Sequence, residues 1–587
     1  MAKRDNEAQP VLEDETEPEE ENKAKRICKL VCLIVFHIVF IAYFIWCTVV
    51  YIRYDRKEHC HFNTTKDDSN STQEVEYTPP ILCLFNWCMG YGFLVVLFVL
   101  FYIAYFYYKV FKPYVGQKVY DNSIEPAIDK WMEFSRTRIM SIVMILFVIV
   151  VMGAIILFES RHELLKVRGV AAPIFFIFVG FVFSKHRRAI PWRIVVHGLF
   201  LQFMLGIVVI RWDRGREVFA CAGDKAAIFF SYAREGALFV YGETIVNDFV
   251  FAFAILAGIF FFSVITSCLF YLGVIQFFLG VFGWLLQAMI GTTVCESVNA
   301  AANIFLSMSE SPLLIRPYIS RLTRSELHTI CVSGYATVAG TVLGAYISFG
   351  ASAAHLITAS VMGAPGSLAF GKLFYPETEE SQTKADNIEL EASEDETLLD
   401  AAASGAANAM MIVLGIVSNI IAFISMIAFF NAVVEWSFEL AGVDEVTFIG
   451  LLSKAFMPLV FLMGVPWYDC QKIGLVVAEK TLINEFVGYM DLGKMIMGGE
   501  IDARSAAIAT FALCGFANPG SLGILIAALS VMAPTRRAEI TEVAFLAFFA
   551  GSIVSFTSAS WAGIFVQETE VNSISEKLID LYLKNSK

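Results

Sequence analysis

Long stretches of the chain contain no Asp, Glu, Lys or Arg. A stretch of about 18 or more such residues predicts a spanning helix, because lipid forces the backbone to bond to itself. Residues 30–52, 81–108 and 139–158 read as single spans, and 169–184 and 194–210 as shorter ones. Residues 249–295 and 327–371 are each too long for one helix and must fold back. Residues 401–434, 505–535 and 543–567 complete the set. With a helix pair in 327–371, and one helix plus an interfacial helix in 249–295, the reading is about eleven spans. Residues 213–248 are amphipathic, with Arg214, Arg216, Asp224, Arg234 and Glu235, and read as an interfacial helix and loop.

Flanking charges orient these spans. The first 29 residues are polar and acidic, which excludes a cleavable signal peptide and makes the first span a signal anchor. Lys23, Lys25, Arg26 and Lys29 precede it and place the N-terminus in the cytosol. Lys109, Lys112, Lys118, the run Lys185-His186-Arg187-Arg188 and Arg536-Arg537 then also fall inside. Arg161, Lys166, Arg168, Arg211 and Arg214 fall outside and oppose the rule. An odd span count puts the C-terminus outside. Asn63-Thr64-Thr65 and Asn70-Ser71-Thr72, in the loop between the first two spans, are glycosylation acceptors on the outer side.

Composition agrees. Of 587 residues, 57% are hydrophobic and 17% charged, against roughly 45–50% and 25% in soluble proteins. The net charge of −13 comes from two segments: nine acids against six bases in 1–29, and ten acids against Lys384 in 376–400. These read as solvated, the second as a disordered cytosolic loop, and nucleic-acid binding is disfavoured. The twelve cysteines form no metal-type spacing and read as small membrane-core residues. Cys60 and Cys221 both fall outside, and their pairing is left open.

Polar residues at membrane depth carry the chemistry. Glu296 and Glu310 lie in an otherwise apolar region, 291–314, with Thr292, Thr293, Ser297, Asn299, Asn303, Ser307 and Ser309. A carboxylate there costs roughly 2.5–3.5 kcal/mol, and Pro312 breaks a helix. A re-entrant hairpin lining a polar cavity explains this, as does a buried polar helix interface. A second region repeats the logic. Gly464-Val465-Pro466 interrupts an apolar run, and Glu479, Lys480, Asn484 and Glu485 follow. Then Gly515, Pro519 and Gly520 unwind a helix in mid-membrane, freeing carbonyls for a cation. Each region leads into two long apolar helices: 327–348 with 352–371, and 505–532 with 543–566. Interrupted segments at matching positions of two halves point to a secondary transporter built of inverted repeats.

At these residues the chain resembles the concentrative nucleoside transporters, in their eukaryotic branch. Ala478-Glu479-Lys480 followed by Asn484-Glu485-Phe486-Val487-Gly488-Tyr489 looks like the family signature. The segments 309–318, 344–350, 355–362 and 514–518 look like its other patterned stretches, and the likeness runs from about 169 to 566. The resemblance implies an all-α polytopic membrane protein of elevator type, with two re-entrant helical hairpins in inverted repeats. It also implies a homotrimer in the plasma membrane.

The implied organisation is an acidic tail (1–29), three extra spans (30–158), scaffold helices (159–290), a first transport repeat (291–372), an acidic loop (373–400), a scaffold helix (401–445), a second transport repeat (446–567) and a tail (568–587). Ribose hydroxyls need acceptors, and Glu485, Asn518 and Ser521 match the family's ribose positions. Met308, Ser309 and Glu310 match positions facing the base, and Val342 and Phe516 match apolar contacts. The implied sodium site uses the Asn303 and Thr337 side chains with the Leu306 and Val338 carbonyls. Two membrane carboxylates leave proton coupling as the alternative. Ser307-Met308 departs from the pairs common in vertebrate relatives: Ser cues pyrimidines, and the adaptable, apolar Met cues purines. The reading is therefore a cation-coupled nucleoside importer that accepts purines.

Other residues read blandly. Lys480 is a structural charge pair, and Glu296 caps or braces its hairpin. His37, His197 and His355 sit in helix contacts, and 101–108 forms an aromatic belt. A membrane enzyme is the rival class, but neither HExxH nor a GxGD-like pair is present. A channel or receptor needs no paired hairpins.

Overall fold

The computed structural model describes residues 19–54, 85–107, 109, 111, 114, 137–161, 165–248, 250–383, 393 and 395–566. Asn63, Asn70, Cys60 and both tails beyond these bounds lie outside the described residues. Every long element is a helix, and among the described residues there is no strand. Residues 1–135 and 136–587 form two compact units.

In the first unit, α1 (Glu19–Arg53) and α2 (Gly90–Phe106) pair through aromatic rings. Phe44 stacks on Phe98 at 3.9 Å and Tyr51 on Tyr91 at 4.3 Å. His37 Nδ1 lies 3.1 Å from the Tyr102 hydroxyl, and its ring meets Tyr105. Part of the expected aromatic belt is thus a helix contact.

The second unit begins with α3 (Arg138–Ser160), α4 (Ala171–Phe183) and α5 (Trp192–Gly206). Residues 213–248 are helical almost throughout, as α6 (Asp213–Ser231), Ala233–Tyr241 and Glu243–Asn247. The loop expected there reduces to short turns. Next come α7 (Ala257–Tyr271) and α8 (Val274–Ile290).

The first repeat opens with α9 (Val294–Ala302), then the 3-10 turn Ser311–Ile315 that Pro312 initiates. The span expected at 327–348 is not one helix. It divides into α10 (Arg324–Ala336) and α11 (Gly340–Ser348), and α12 (Ala353–Phe374) follows. α13 (Leu398–Glu439) leads to the second repeat: α14 (Phe448–Leu462), the hairpin α15 (Cys470–Leu482) and α16 (Glu485–Met497), the broken pair α17 (Ala503–Leu513) and α18 (Pro519–Met532), and α19 (Arg537–Phe565).

Nine described helices are long and apolar enough to cross a membrane. That count takes α10 and α11 together, and α2, α8, α14, α17 and α18 are apolar but shorter. In lipid, a helix that starts at depth must satisfy its first N–H groups internally. Thr293 with Glu296, and Thr323 with Glu326, form capping boxes. Asn484 and Asn518 cap α16 and α18 through their side-chain oxygens. Pro519 occupies the first turn of α18, where its missing N–H costs nothing.

The two breaks lie back to back. Gly515 has φ +151°, and a Cβ there would sit 2.6 Å from Tyr335 O and 2.7 Å from Ser555 Oγ. Only glycine fits. Ser555 Oγ donates to the Cys514 carbonyl at 2.7 Å, satisfying one group that the unwinding frees.

The loop expected to be disordered is ordered at its start. Glu326, 0% exposed, accepts hydrogen bonds from Ser381 Oγ (2.5 Å) and Thr383 Oγ1 (2.7 Å). Glu377 accepts from Thr323 Oγ1 at 2.8 Å. Cys88 and Cys221 are each disulfide-bonded, so neither is the free core residue that the apolar runs suggest for most of the cysteines.

Candidate functional site

Glu485 opens α16 and is 2% exposed. Its position is set by Asn484, whose side chain caps the helix and so fixes where the first turn begins. One carboxylate oxygen accepts from the Tyr346 hydroxyl at 3.1 Å, the other from Asn518 Nδ2 at 2.8 Å. Asn518 Oδ1 in turn accepts from the Ser521 N–H at 2.8 Å. Glu485, Asn518 and Ser521, expected together, are joined in one chain of bonds across the start of hairpin 2 and the second break.

Tyr346 was not among the expected residues. It lies on α11, one turn after Val342, and stacks on Tyr489 at 4.5 Å. Its signal in the sequence was a phenol inside an apolar run; such a hydroxyl needs a partner when buried. Val342 and Phe516 are both buried, at the start of α11 and within the second break.

Met308, Ser309 and Glu310 form the tight turn after α9. Glu310 accepts from the Ser307 N–H at 3.0 Å, and the Ser307 and Ser309 hydroxyls lie 3.1 Å apart. Met308 is buried, and a Cβ on Gly334 would meet the Met308 Cβ at 2.9 Å. Hairpin 1 therefore rests on α10 at a position that only a glycine leaves open. No hydrogen bond joins this turn to the Glu485 cluster among the described residues.

The proposed sodium ligands gather around the first break. Asn303, Leu306, Thr337 and Val338 are all buried. Gly340 N donates to Phe305 O at 3.0 Å, tying the end of hairpin 1's helix to the break. Asn303 Oδ1 is buried with no partner. A buried oxygen left unpaired costs about 1–3 kcal/mol, and neutral oxygens of this kind suit a hard monovalent cation.

Glu296 does brace its hairpin. It closes the capping box with Thr293, and its carboxylate lies 2.6 Å from Lys372 Nζ, both side chains buried. Lys480 departs from expectation: it is 0% exposed, and its Nζ has no hydrogen-bond partner. It sits 5.5 Å from the Phe556 ring centroid, a cation–π contact instead of an ion pair. His197 bonds the Arg193 carbonyl, and His355 packs on Phe511. Among the described residues no His, Cys, Asp and Glu cluster suits a metal.

Two interrupted hairpins, each followed by a helix broken in mid-membrane, define a multi-pass secondary transporter of inverted-repeat architecture. The family models of the Na+ dependent nucleoside transporters match the chain in order: the N-terminal model at 171–244, the nucleoside-recognition gate at 252–353 and the C-terminal model at 355–563. The chain belongs to this family, the concentrative nucleoside transporters. It is 43% identical over 420 residues to the sodium/nucleoside cotransporter 2 of Rattus norvegicus and equally to cotransporter 1 of Oryctolagus cuniculus. Each match covers 69% of this chain and 63% of the relative, so the chain spans less than two thirds of those proteins. Of the solved structures, CNTnw in an inward-facing substrate-bound state is 35% identical, with a TM-score of 0.65, covering 68% of this chain and 98% of that one. A CNTnw variant in an outward-facing state gives a TM-score of 0.66 at the same identity, covering 69% and 98%.

Proposed function

We propose that this chain is a sodium-coupled symporter that imports nucleosides across the plasma membrane. The observation that carries the reading is the buried Glu485 carboxylate, held between Tyr346 and Asn518 where hairpin 2 meets the second break. A nucleoside is uncharged but offers ribose hydroxyls, and a carboxylate is the acceptor that rewards them most. Asn518 and Ser521 complete the ribose side. Met308, Ser309 and Glu310 face the base, and Val342 and Phe516 make its apolar contacts. Sodium sits among Asn303, Thr337 and the Leu306 and Val338 carbonyls, supported by the unpartnered Asn303 oxygen. Residues 291–372 and 446–567 form the moving domain, and 159–290 and 401–445 the scaffold of a homotrimer. The N-terminus is cytosolic and the C-terminus extracellular.

Ribose recognition is tested by comparing uptake of uridine with 2′,3′-dideoxyuridine in cells expressing the full chain. Losing hydrogen bonds to a charged group costs about 1.5–3 kcal/mol each, so apparent affinity should fall roughly ten- to a hundredfold. Equal uptake of both compounds would remove the carboxylate from the ribose site.

A further inference from the structure

Ser333 lies on α10, one turn before the first break, and is fully buried. Its hydroxyl is saturated. Oγ donates to the Ile330 carbonyl at 2.8 Å and accepts from Asn299 Nδ2 and Asn303 Nδ2, both at 2.9 Å. One proton and two lone pairs are the whole capacity of a serine. The Asn303 amide also donates to the Asn299 carbonyl at 3.0 Å. With its nitrogen committed twice, Asn303 can offer only its oxygen to anything else. Turning the amide over would set that oxygen against a carbonyl and against a hydroxyl whose proton is already spent. The network therefore admits one orientation of Asn303.

Here Asn303 Oδ1 and Asn299 Oδ1 are both buried and unpartnered. An oxygen so placed can take a ligand without giving up a protein bond.

We propose that Ser333 is a positioning residue for the coupling ion: by taking the amide N–H groups of Asn299 and Asn303, it holds the Asn303 oxygen toward the sodium site. The proposal rests on the reading of Asn303 as a sodium ligand. It also gives the ion a mechanical role. Asn303 ends the helix of hairpin 1 and Ser333 belongs to the broken helix, so an ion drawing on Asn303 tightens the contact between the two.

The test uses the purified full chain in detergent, with two readouts: the sodium dependence of its thermal unfolding and the sodium dependence of labelled uridine and adenosine binding. Outer-shell partners of a ligand are typically worth 10- to 100-fold in metal affinity. Ser333→Ala should therefore raise the half-saturating sodium concentration by about tenfold or more, while nucleoside affinity at saturating sodium stays within about twofold of the parent. Ser333→Thr keeps the hydroxyl and should titrate with sodium like the parent. If the alanine variant does not fold, Ser333→Cys, similar in size and a weaker acceptor, takes its place with the same expected direction. An unchanged sodium titration in Ser333→Ala or Ser333→Cys overturns the proposal. Asn303→Ala separates it from the reading beneath. If Asn303→Ala raises the sodium requirement and Ser333→Ala does not, the ion site stands and the positioning role falls. If the parent itself ignores sodium, both fall.

Discussion

At the residue scale the account turns on Glu485. Glu485→Gln replaces an acceptor of two hydroxyls with a group that is part donor, and it disturbs the bonds to Tyr346 and Asn518. Uptake should fall at least ten- to a hundredfold, on a value of about 1.5–3 kcal/mol per charged bond, with surface expression unchanged. Near-normal transport would exclude Glu485 from the site. On the proposed reading, selectivity belongs to the Ser307–Met308 turn. The Met308 Cβ packs against α10 at Gly334, and the proposed site has this apolar, adaptable side chain where an amide could read a base edge. Met308→Gln should raise uridine uptake relative to adenosine by up to about tenfold, one neutral hydrogen bond being worth about 0.5–1.5 kcal/mol. A ratio that does not move would show that position 308 does not read the base. Glu485 stood out in the sequence as a carboxylate beside an apolar run, whereas the roles of Ser307 and Met308 came from the family resemblance alone. Tyr346 did not stand out: a tyrosine belongs equally well in a hydrophobic helix, and its bond to Glu485 is made 139 residues away in sequence.

The elements show a sharper asymmetry. The second break announces itself, since Gly515, Pro519 and Gly520 each disfavour a helix. The first break, at Thr337-Val338-Ala339, contains no such residue. A tertiary bond, Gly340 N to Phe305 O, holds its far side, while Thr337 Oγ1 bonds back to the Ser333 carbonyl one turn earlier. Local preference could not reveal it. The start of the acidic loop escaped for a related reason. Its charges read as solvated, but the buried Glu326 recruits Ser381 and Thr383, and Lys372 draws in Glu377. The pair of Lys372 (3% exposed) and Glu296 (1% exposed) gives the element-scale prediction. Lys372→Met leaves Glu296 buried without its cation, which should destabilise the protein by about 3–5 kcal/mol. Adding Glu296→Gln should recover much of that loss, as read by thermal unfolding in detergent. If the double variant is no better than the single, the pair is not what holds the base of hairpin 1.

For the whole molecule, the long apolar helices and the two interrupted regions were present in the spacing of charge-free runs, because the bilayer imposes one length on every span. What spacing could not supply is how the repeats interlock, with Gly515 pressed on Tyr335 and the two breaks back to back. On the proposed reading, the ion site lies at the first break, and the nucleoside site draws on residues of both repeats. For a symporter, the coupling between the two ligands is reciprocal: each changes the affinity for the other by the same factor. The most direct measurement is accumulation of labelled uridine and adenosine by the full chain reconstituted in vesicles, under an imposed inward sodium gradient. The account predicts accumulation above the external concentration, abolished by a sodium ionophore and by replacing sodium with choline. Accumulation that ignores sodium and follows a proton gradient, or uptake that only equilibrates, would contradict it.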